Sequence, residues 1–337
     1  MTVFAVLPGD IDDPGSPSGG NRYDREVCDR LAAVERPAPG AWPHPDAGDL
    51  ARLDALLAGL PHGAAVLVDG LVASCAPAVL EAHAARLRLV VLVHMPFGDD
   101  DPAARPDEAR ALRAASAVIA TSGWTRRRLI ELYALSRLHV ATPGVHQAPV
   151  AAGSGGAGAL LCVAVIGRHK GHDVLVEALA RVADRDWTCV CAGSMDRDPA
   201  FARGLVARID ALGLGDRISL VGPRPVEPLY AAADLLVHPS RGETYGMVAA
   251  EALARGVPVL ATTAKGLPDA IGAAAPPGWL VPPGDADALA GALRRWFGDA
   301  ALRDRLRAAA LARRATLTGW DDTARAVEAV FRHTVAD

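Results

Sequence analysis

Lysine is almost missing from this chain. Of 35 basic residues only Lys170 and Lys265 are lysines. Aromatic residues are scarce too, at 4% of 337 positions, so a core has to be filled mainly by Val, Leu, Ile and Ala. No apolar run approaches the roughly 20 residues of a membrane-spanning helix, so no transmembrane segment is expected. The opening run Val3–Leu7 stops at Pro8-Gly9-Asp10 and lacks a basic start. It does not read as a secretory leader, and the expected compartment is the cytoplasm. There is no excess of positive charge: the net value of −4 gives no field that would favour nucleic acid or an anionic membrane. Arg126-Arg127-Arg128 after Trp124 is too short a run in an acidic chain to mark a membrane-surface helix, and reads as a solvated helix face. The five cysteines (Cys28, Cys75, Cys162, Cys189, Cys191) contain no CxxC pair, and the histidines fit no zinc spacing. Reduced core thiols are the expectation. Cys189 and Cys191, two apart in a strand, should face one side. No Ser-His-Asp constellation is found.

What is present is a regular alternation of β-rich runs and helical stretches, the pattern of parallel α/β sheets. Strands are expected at Thr2–Leu7, Ala64–Asp69, Leu87–Val93, Ala117–Thr121 and Leu138–Thr142. Tyr23, Val27, Leu31 and Val34 share one apolar face of a helix between the first two. The run Val90-Val91-Leu92-Val93 does not alternate, which suits a strand covered on both faces. A Gly/Ala/Ser stretch at 147–158 then interrupts the pattern and is expected to be a flexible linker. A second series follows near Leu160–Ile166, Trp187–Ala192, Ile218–Val221, Leu235–Val237, Val257–Ala261 and Trp279–Val281. The last stretch, Asp321–His333, is amphipathic. The expected fold class is α/β, with two Rossmann-like, doubly wound domains facing a cleft, and ligands beyond the carboxyl ends of the strands.

The strongest chemical signal is His238–Gly256, HPSRGETYGMVAAEALARG. A strand ends at His238, a polar loop follows, and a helix is expected from about Tyr245 to Arg255. Glu243 stands just before that helix, at its positive end, where amides also suit an anionic ligand or sugar hydroxyls. Gly246 allows a ligand close to the backbone. Glu251, seven intervening residues further on, falls among Val248, Ala249, Ala250, Ala252 and Leu253. A carboxylate in such company needs a partner, and a ribose diol would serve. Lys170, one of the two lysines, follows a strand and precedes Gly171. An ammonium is a compact point charge that a guanidinium does not always replace in a tight phosphate site. Lys265 reads as incidental. Ser18-Gly19-Gly20 opens the first helix after the loop PGDIDDPGSP, and glycines at a helix start expose amides to an anion. The loop is too long, and a third glycine missing, for a GxGxxG dinucleotide motif. Asp10-Ile11-Asp12 sits in that loop and is assigned no metal. His94 ends the apolar strand LRLVVLV; read alone, it is a core histidine bonded to backbone.

These residues carry a resemblance. ETYGMVAAEALARGVPV looks like the Glu-x7-Glu signature of retaining GT-B enzymes of glycosyltransferase family four. LYAAADLLVHPSRGE, VAVIGRHKGHDVLVEALA and GLPDAIG followed by GWLVPPGDADALAGAL resemble that family too, almost unbroken from about Leu161 to Leu293. Before residue 160 the matching points are Ser18-Gly19-Gly20 and the strand ending in His94. The resemblance implies that Glu243 holds hydroxyls of a donor sugar. Backbone amides around Tyr245, Gly246 and Met247 would help hold the sugar and diphosphate, and Glu251 the ribose diol. Lys170 would contact the diphosphate, with Arg168 as companion. Gly19 and Gly20 would meet the donor phosphates, and His94 would lie beside the donor sugar. Asn21 and Tyr23 would face the acceptor. The sequence departs from the family at three points: only His169 separates Arg168 from Lys170-Gly171, Lys265-Gly266 stands for two glycines, and Asp269 for a common Glu.

The implied function is a retaining, metal-independent transferase with no cofactor, moving a hexose-type sugar from a UDP or GDP donor to a small-molecule or glycan acceptor. A sugar-nucleotide epimerase or hydrolase of the same fold, or a non-catalytic nucleotide-sugar binder, is the alternative. The expected domains are 1–146 on the acceptor side, 159–318 for the nucleotide sugar, and a C-terminal helix at 319–337 crossing back to the first.

Overall fold

The computed structural model describes residues 2–13, 18–272 and 279–333. The loop expected before the first helix lies outside the described residues over 14–17, as do 273–278 within the family-like stretch and 334–337 at the end of the expected C-terminal helix. The chain divides into two compact units, Met1–Gly144 with Thr318–Asp337, and Val145–Leu317. Each is built on a six-stranded, all-parallel sheet with helices between the strands.

The first unit contains β1 (Val3–Pro8), β2 (Val34–Ala38), β3 (Ala65–Asp69), β4 (Arg88–Val93), β5 (Ala117–Ala120) and β6 (Leu138–Val140). Their order across the sheet is β2-β1-β3-β4-β5-β6, so the winding reverses between β1 and β3. Central strands are closed on both faces, with Val90, Val91, Leu92 and Val93 all buried, which is why they carry no alternation. Val34 was expected on the first helix but starts β2 instead. The helix Gly19–Leu31 ends where Ala32 turns into the left-handed region at φ 47°. The strand that follows is a half-exposed edge, VERPA, that tolerates Pro37 and shows no apolar signature.

The helix Trp320–His333 also belongs to the first unit, against Gly19–Leu31. Its apolar stripe is what buries: Val327 and Phe331 are fully covered. Thr323 donates to the Thr142 carbonyl at 2.8 Å. A Cβ on Gly144 would lie 2.4 Å from the Trp320 nitrogen, so this approach requires glycine.

The second unit contains β7 (Ala159–Val163), β8 (Thr188–Ala192), β9 (Ile218–Leu220), β10 (Leu235–His238), β11 (Val259–Thr262) and β12 (Leu280–Val281). The order is β12-β11-β10-β7-β8-β9, so the winding reverses between β7 and β10. Few as the rings are, three tryptophans anchor this core. Trp187, Trp279 and Trp296 are buried, and their indole N–H groups donate to the carbonyls of Val182, Val259 and Ala157 at 2.9, 2.7 and 2.7 Å. The glycine-rich stretch 147–158 is bound to this unit. Ala151 N–H reaches the Arg255 carbonyl at 2.8 Å, and the Ser154 amide and hydroxyl donate to buried Asp234 at 2.9 and 2.6 Å. Cys162, Cys189 and Cys191 are free and buried, with the Sγ atoms of Cys189 and Cys191 4.0 Å apart.

Candidate functional site

In an open parallel sheet, loops that leave neighbouring strands in opposite directions open a crevice at the strands' carboxyl ends. In the second unit that place is beyond β7 and β10. The short 3-10 turn Arg168–Lys170 follows β7, and the loop carrying Glu243 follows β10. The two are locked together. Gly171 has φ 73°, and a Cβ there would meet the Pro239 carbonyl oxygen at 2.1 Å, so only glycine lets the turn sit against the loop. Arg241 clamps the same junction. Its guanidinium donates to both carboxylate oxygens of Asp173 at 2.7 Å and to the Arg168 carbonyl at 2.6 Å, while its amide reaches the His169 carbonyl at 2.8 Å. On the other flank Thr262 donates to the Ser240 carbonyl at 2.6 Å, and the Gly266 amide to the Glu243 carbonyl at 2.7 Å.

These constraints bring Lys170 Nζ to 2.7 Å from Glu243 Oε2. The lysine keeps 21% and the glutamate 18% of its side chain exposed. His238, the last residue of β10 and 2% exposed, places Nε2 3.3 Å from the same oxygen. Burial alone would raise the Glu243 carboxyl. The charges and hydrogen bonds of Lys170 and His238 outweigh it and hold that carboxyl well below the usual range. His238 Nδ1 is buried with no hydrogen-bond partner among the described residues. Lys265, read from the sequence as incidental, lies beside this loop. Its backbone is left-handed at φ 46°, and its Cε lies 3.6 Å from the position a Cβ on Gly242 would take.

The helix expected from Tyr245 starts later, at Met247, and runs to Ala254 with Gly246 as its cap. Gly246 has φ 101°, and a Cβ there would strike Leu267 Cδ1 at 2.5 Å. The amides of the helix's first turn, as at the start of any α-helix, have no partners within the helix. Tyr245 itself packs with Ala250 and Ala270 and is 6% exposed, which leaves only its backbone for a ligand. Met247 packs at the edge of the same cluster. Glu251 is 8% exposed and has a protein partner that the sequence did not reveal: the Tyr230 hydroxyl donates to Oε2 at 3.1 Å. Arg255 stacks on that tyrosine, 4.8 Å from the ring centroid. Arg168 is exposed and lies over Phe201 at 5.5 Å.

In the first unit His94 follows β4, and its Nε2 faces Asp24 Oδ1 at 2.8 Å and Asp69 Oδ2 at 3.5 Å. Ser18 caps the helix Gly19–Leu31 by accepting from the Asn21 amide at 3.0 Å. A Cβ on Gly20 would come 3.3 Å from the His94 ring, so Gly20 serves the histidine directly, whereas Gly19 is exposed. Asn21 spends a side-chain N–H on the Ile11 carbonyl at 2.9 Å. Tyr23, expected to face an acceptor, is instead 1% exposed and donates to the Ala141 carbonyl at 2.9 Å. It is a core anchor, because the helix turns residue 23 inward toward β6. Asp24, Asp69 and His94 offer three ligand atoms within 4.8 Å of one another. The imidazole Nε2 in that set lies within hydrogen-bond distance of carboxylate, and its role there is set by the tautomer. The sequence reasoning passed over Asp24, Asp69 and His238. Asp69 and His238 carried a usable signal, since both are polar residues that end buried strands.

Residues 154–313 match the family model described as glycosyl transferases group 1. The D-inositol 3-phosphate glycosyltransferase of Jonesia denitrificans is 35% identical over 252 residues, 67% of this chain and 59% of that protein. The protein of the same description from Kineococcus radiotolerans is 32% identical over 269 residues, 70% of this chain and 62% of that one. The chain thus spans about three-fifths of the length of these curated relatives. Among solved structures, the sucrose-phosphate synthase of Thermosynechococcus elongatus superposes with a TM-score of 0.81 at 22% identity, covering 100% of this chain and 99% of that one. Anabaena HepE, in complex with UDP and glucose, gives 0.80 at 18% identity, covering 98% and 99%. These structures share the GT-B architecture of two Rossmann-like α/β units. No helix among the described residues is long and apolar enough to cross a membrane. The chain therefore carries, over residues 154–313 of its second unit, a domain of the glycosyl transferases group 1 family.

Proposed function

We propose that the chain transfers a hexose-type sugar from a nucleoside diphosphate donor, UDP before GDP, to a hydroxyl of a small polar acceptor, without a metal and with retention at the anomeric carbon. The observation that carries this reading is the Lys170–Glu243 pair, held rigidly beside the start of the helix Met247–Ala254, with buried Glu251 about one turn into that helix. One end of that arrangement suits a diphosphate and the other a diol. Glu251 would accept from the ribose hydroxyls, with the Tyr230 hydroxyl fixing the carboxylate. Glu243 would accept from hydroxyls of the donor sugar.

When the bond from the anomeric carbon to the diphosphate breaks, the electron pair leaves with the β-phosphate oxygen. Charge then grows where Lys170 and the first amides of the helix stand, and such preorganised donors stabilise it without a metal. Retention by double displacement needs a carboxylate nucleophile. Glu243 is already committed to Lys170 and His238. The resemblance to retaining GT-B enzymes implies a front-face substitution instead: the acceptor oxygen bonds to the anomeric carbon on the side the phosphate leaves, and its proton passes to the departing phosphate. Arg168, lying over Phe201, is a weaker candidate for the diphosphate than Lys170.

UDP is favoured by the Anabaena neighbour's complex, and a phosphorylated cyclitol by the names of the relatives. The experiment is incubation with UDP-glucose, UDP-N-acetylglucosamine or GDP-mannose, with and without D-inositol 3-phosphate. Nucleotide release and product mass are followed, with the anomeric coupling read by NMR. Release that depends on acceptor, with an axial product linkage, is expected. Release without acceptor means a hydrolase, an isomerised donor an epimerase, and an untouched donor a binding protein.

A further inference from the structure

Three side chains from three elements meet at the carboxyl edge of the first sheet: Asp69 ending β3, His94 after β4, and Asp24 on the helix that follows β1. Both carboxylates are closed off from solvent, with side chains 1% and 5% exposed, whereas His94 keeps 22%. A ring nitrogen that faces two buried carboxylates is placed to donate, because a lone pair there would point at negative oxygens. Two carboxylates buried side by side call for a cation or a shared proton. The ring is held from its other sides as well. Tyr23 packs edge-on at 5.2 Å and 75°, and Gly20 leaves only the space a missing Cβ provides. Asp69 is itself fixed through its hydrogen bond from the Leu71 amide, and Asp24, whose Oδ2 is buried with no hydrogen-bond partner among the described residues, is shared between His94 and Asp69.

We propose that Asp24 and Asp69 are positioning residues that hold His94 as an imidazolium in one orientation, so that it acts on substrate as a charged hydrogen-bond donor and not as a general base. The part that concerns substrate rests on the transferase reading above. The titratable groups that face the ring are Tyr23 and Asp24 from the first helix and Asp69 from β3; Thr121, whose hydroxyl meets the His94 carbonyl, does not titrate. Burial works against the imidazolium, but the charges and hydrogen bonds of Asp24 and Asp69 outweigh it and lift His94 to about 10. The same partnership holds Asp69 low against its burial, while burial raises Asp24 to about 7.

The test uses the whole chain with labelled histidine, the His94 resonance being assigned by its loss in His94→Gln. In the parent, His94 stays protonated through pH 8.5. In Asp24→Asn and Asp69→Asn its midpoint falls by at least about one unit, and the double variant brings it to about 6.5 or lower. Turnover supplies the second readout. Apart from the ionisation of Asp24 near 7, the parent shows no decline with rising pH up to about 8.5, whereas kcat/KM of the double variant, which lacks that carboxyl, falls about tenfold per pH unit above the new midpoint and recovers in acid. Melting curves confirm that each variant is folded. A neutral His94 in the parent at pH 7.5 overturns the proposal. So does an activity loss equal at every pH, or zinc bound in place of the His94 proton. If His94 titrates as stated and no donor and acceptor pair is turned over, the transferase reading fails while the imidazolium stands. If turnover is found with a neutral His94, the reverse holds.

Discussion

Replacing Lys170 by alanine removes the cation that keeps Glu243 ionised inside the second unit. The two side chains are about four-fifths buried and 2.7 Å apart. Breaking a fully buried pair costs roughly 3–5 kcal/mol, because the remaining charge is left without compensation. Here His238 remains as a partner and some solvent reaches both groups, so about 1–3 kcal/mol is expected. For a unit of this size that is a fall of roughly 3–9 °C in Tm. The effect has a sign with pH. Glu243 is held below its ordinary value of 4.5 in the folded chain, so its contribution is complete above that value and is lost as pH falls beneath it. The Tm gap between parent and Lys170→Ala should therefore be full at pH 7 and shrink below about pH 4. Glu243→Gln in the Lys170→Ala background should recover much of the loss, since it removes the stranded charge. Catalysis should respond differently. Losing one preorganised donor at the leaving phosphate costs about 10²–10³ in kcat, and the double variant should not recover it. Lys170→Arg should be intermediate, since a planar fork does not fit where a compact ammonium sat. Calorimetric melts from pH 7 to 3 beside steady-state kinetics decide it. A gap that does not shrink in acid would refute the electrostatic account, and parent-like kcat in a folded Lys170→Ala would refute the role at the phosphate.

Glu251→Ala should weaken UDP binding by roughly 1.5–3 kcal/mol, the value of a charged hydrogen bond, with Tyr230→Phe losing less; titration calorimetry showing unchanged affinity in both would remove the ribose assignment. Gly171→Ala should destabilise by more than the roughly 1–2 kcal/mol of a left-handed alanine, because the Pro239 carbonyl would also have to move; denaturation with a loss under about 0.5 kcal/mol would contradict the close approach. Turnover should survive a chelator, with Lys170 and helix amides meeting the leaving charge; loss with EDTA and recovery with magnesium or manganese would refute metal independence.

Much of this protein could be read from one line of residues because its signals are local. Short apolar runs marked eleven strands, since a parallel sheet covered on both faces leaves little room for polar alternation. Glu243 and Glu251 stood out because charge is conspicuous around and within an alanine-rich helix, and Lys170 because lysine is nearly absent. The edge strand β2 escaped, because an exposed strand buries too little to impose a pattern, and Val34 happened to continue the helical spacing.

What tertiary structure alone decided are the partnerships between residues far apart in the chain. Tyr230 reaches Glu251 across 21 positions, Lys170 meets Glu243 across 73, and His94 meets Asp24 across 70. Sequence spacing sets which face of a helix or strand a residue takes, which is why Tyr23 and Asp24 could be assigned to a helix. It does not set which loop from another strand arrives there. That depends on sheet order, and the order β2-β1-β3-β4 is what carries Asp24, Asp69 and His94 to one edge. The charge states follow from the same cause: against burial, the partners that the fold supplies hold Glu243 ionised, and the imidazolium proposed for His94 depends on Asp24 and Asp69 in the same way.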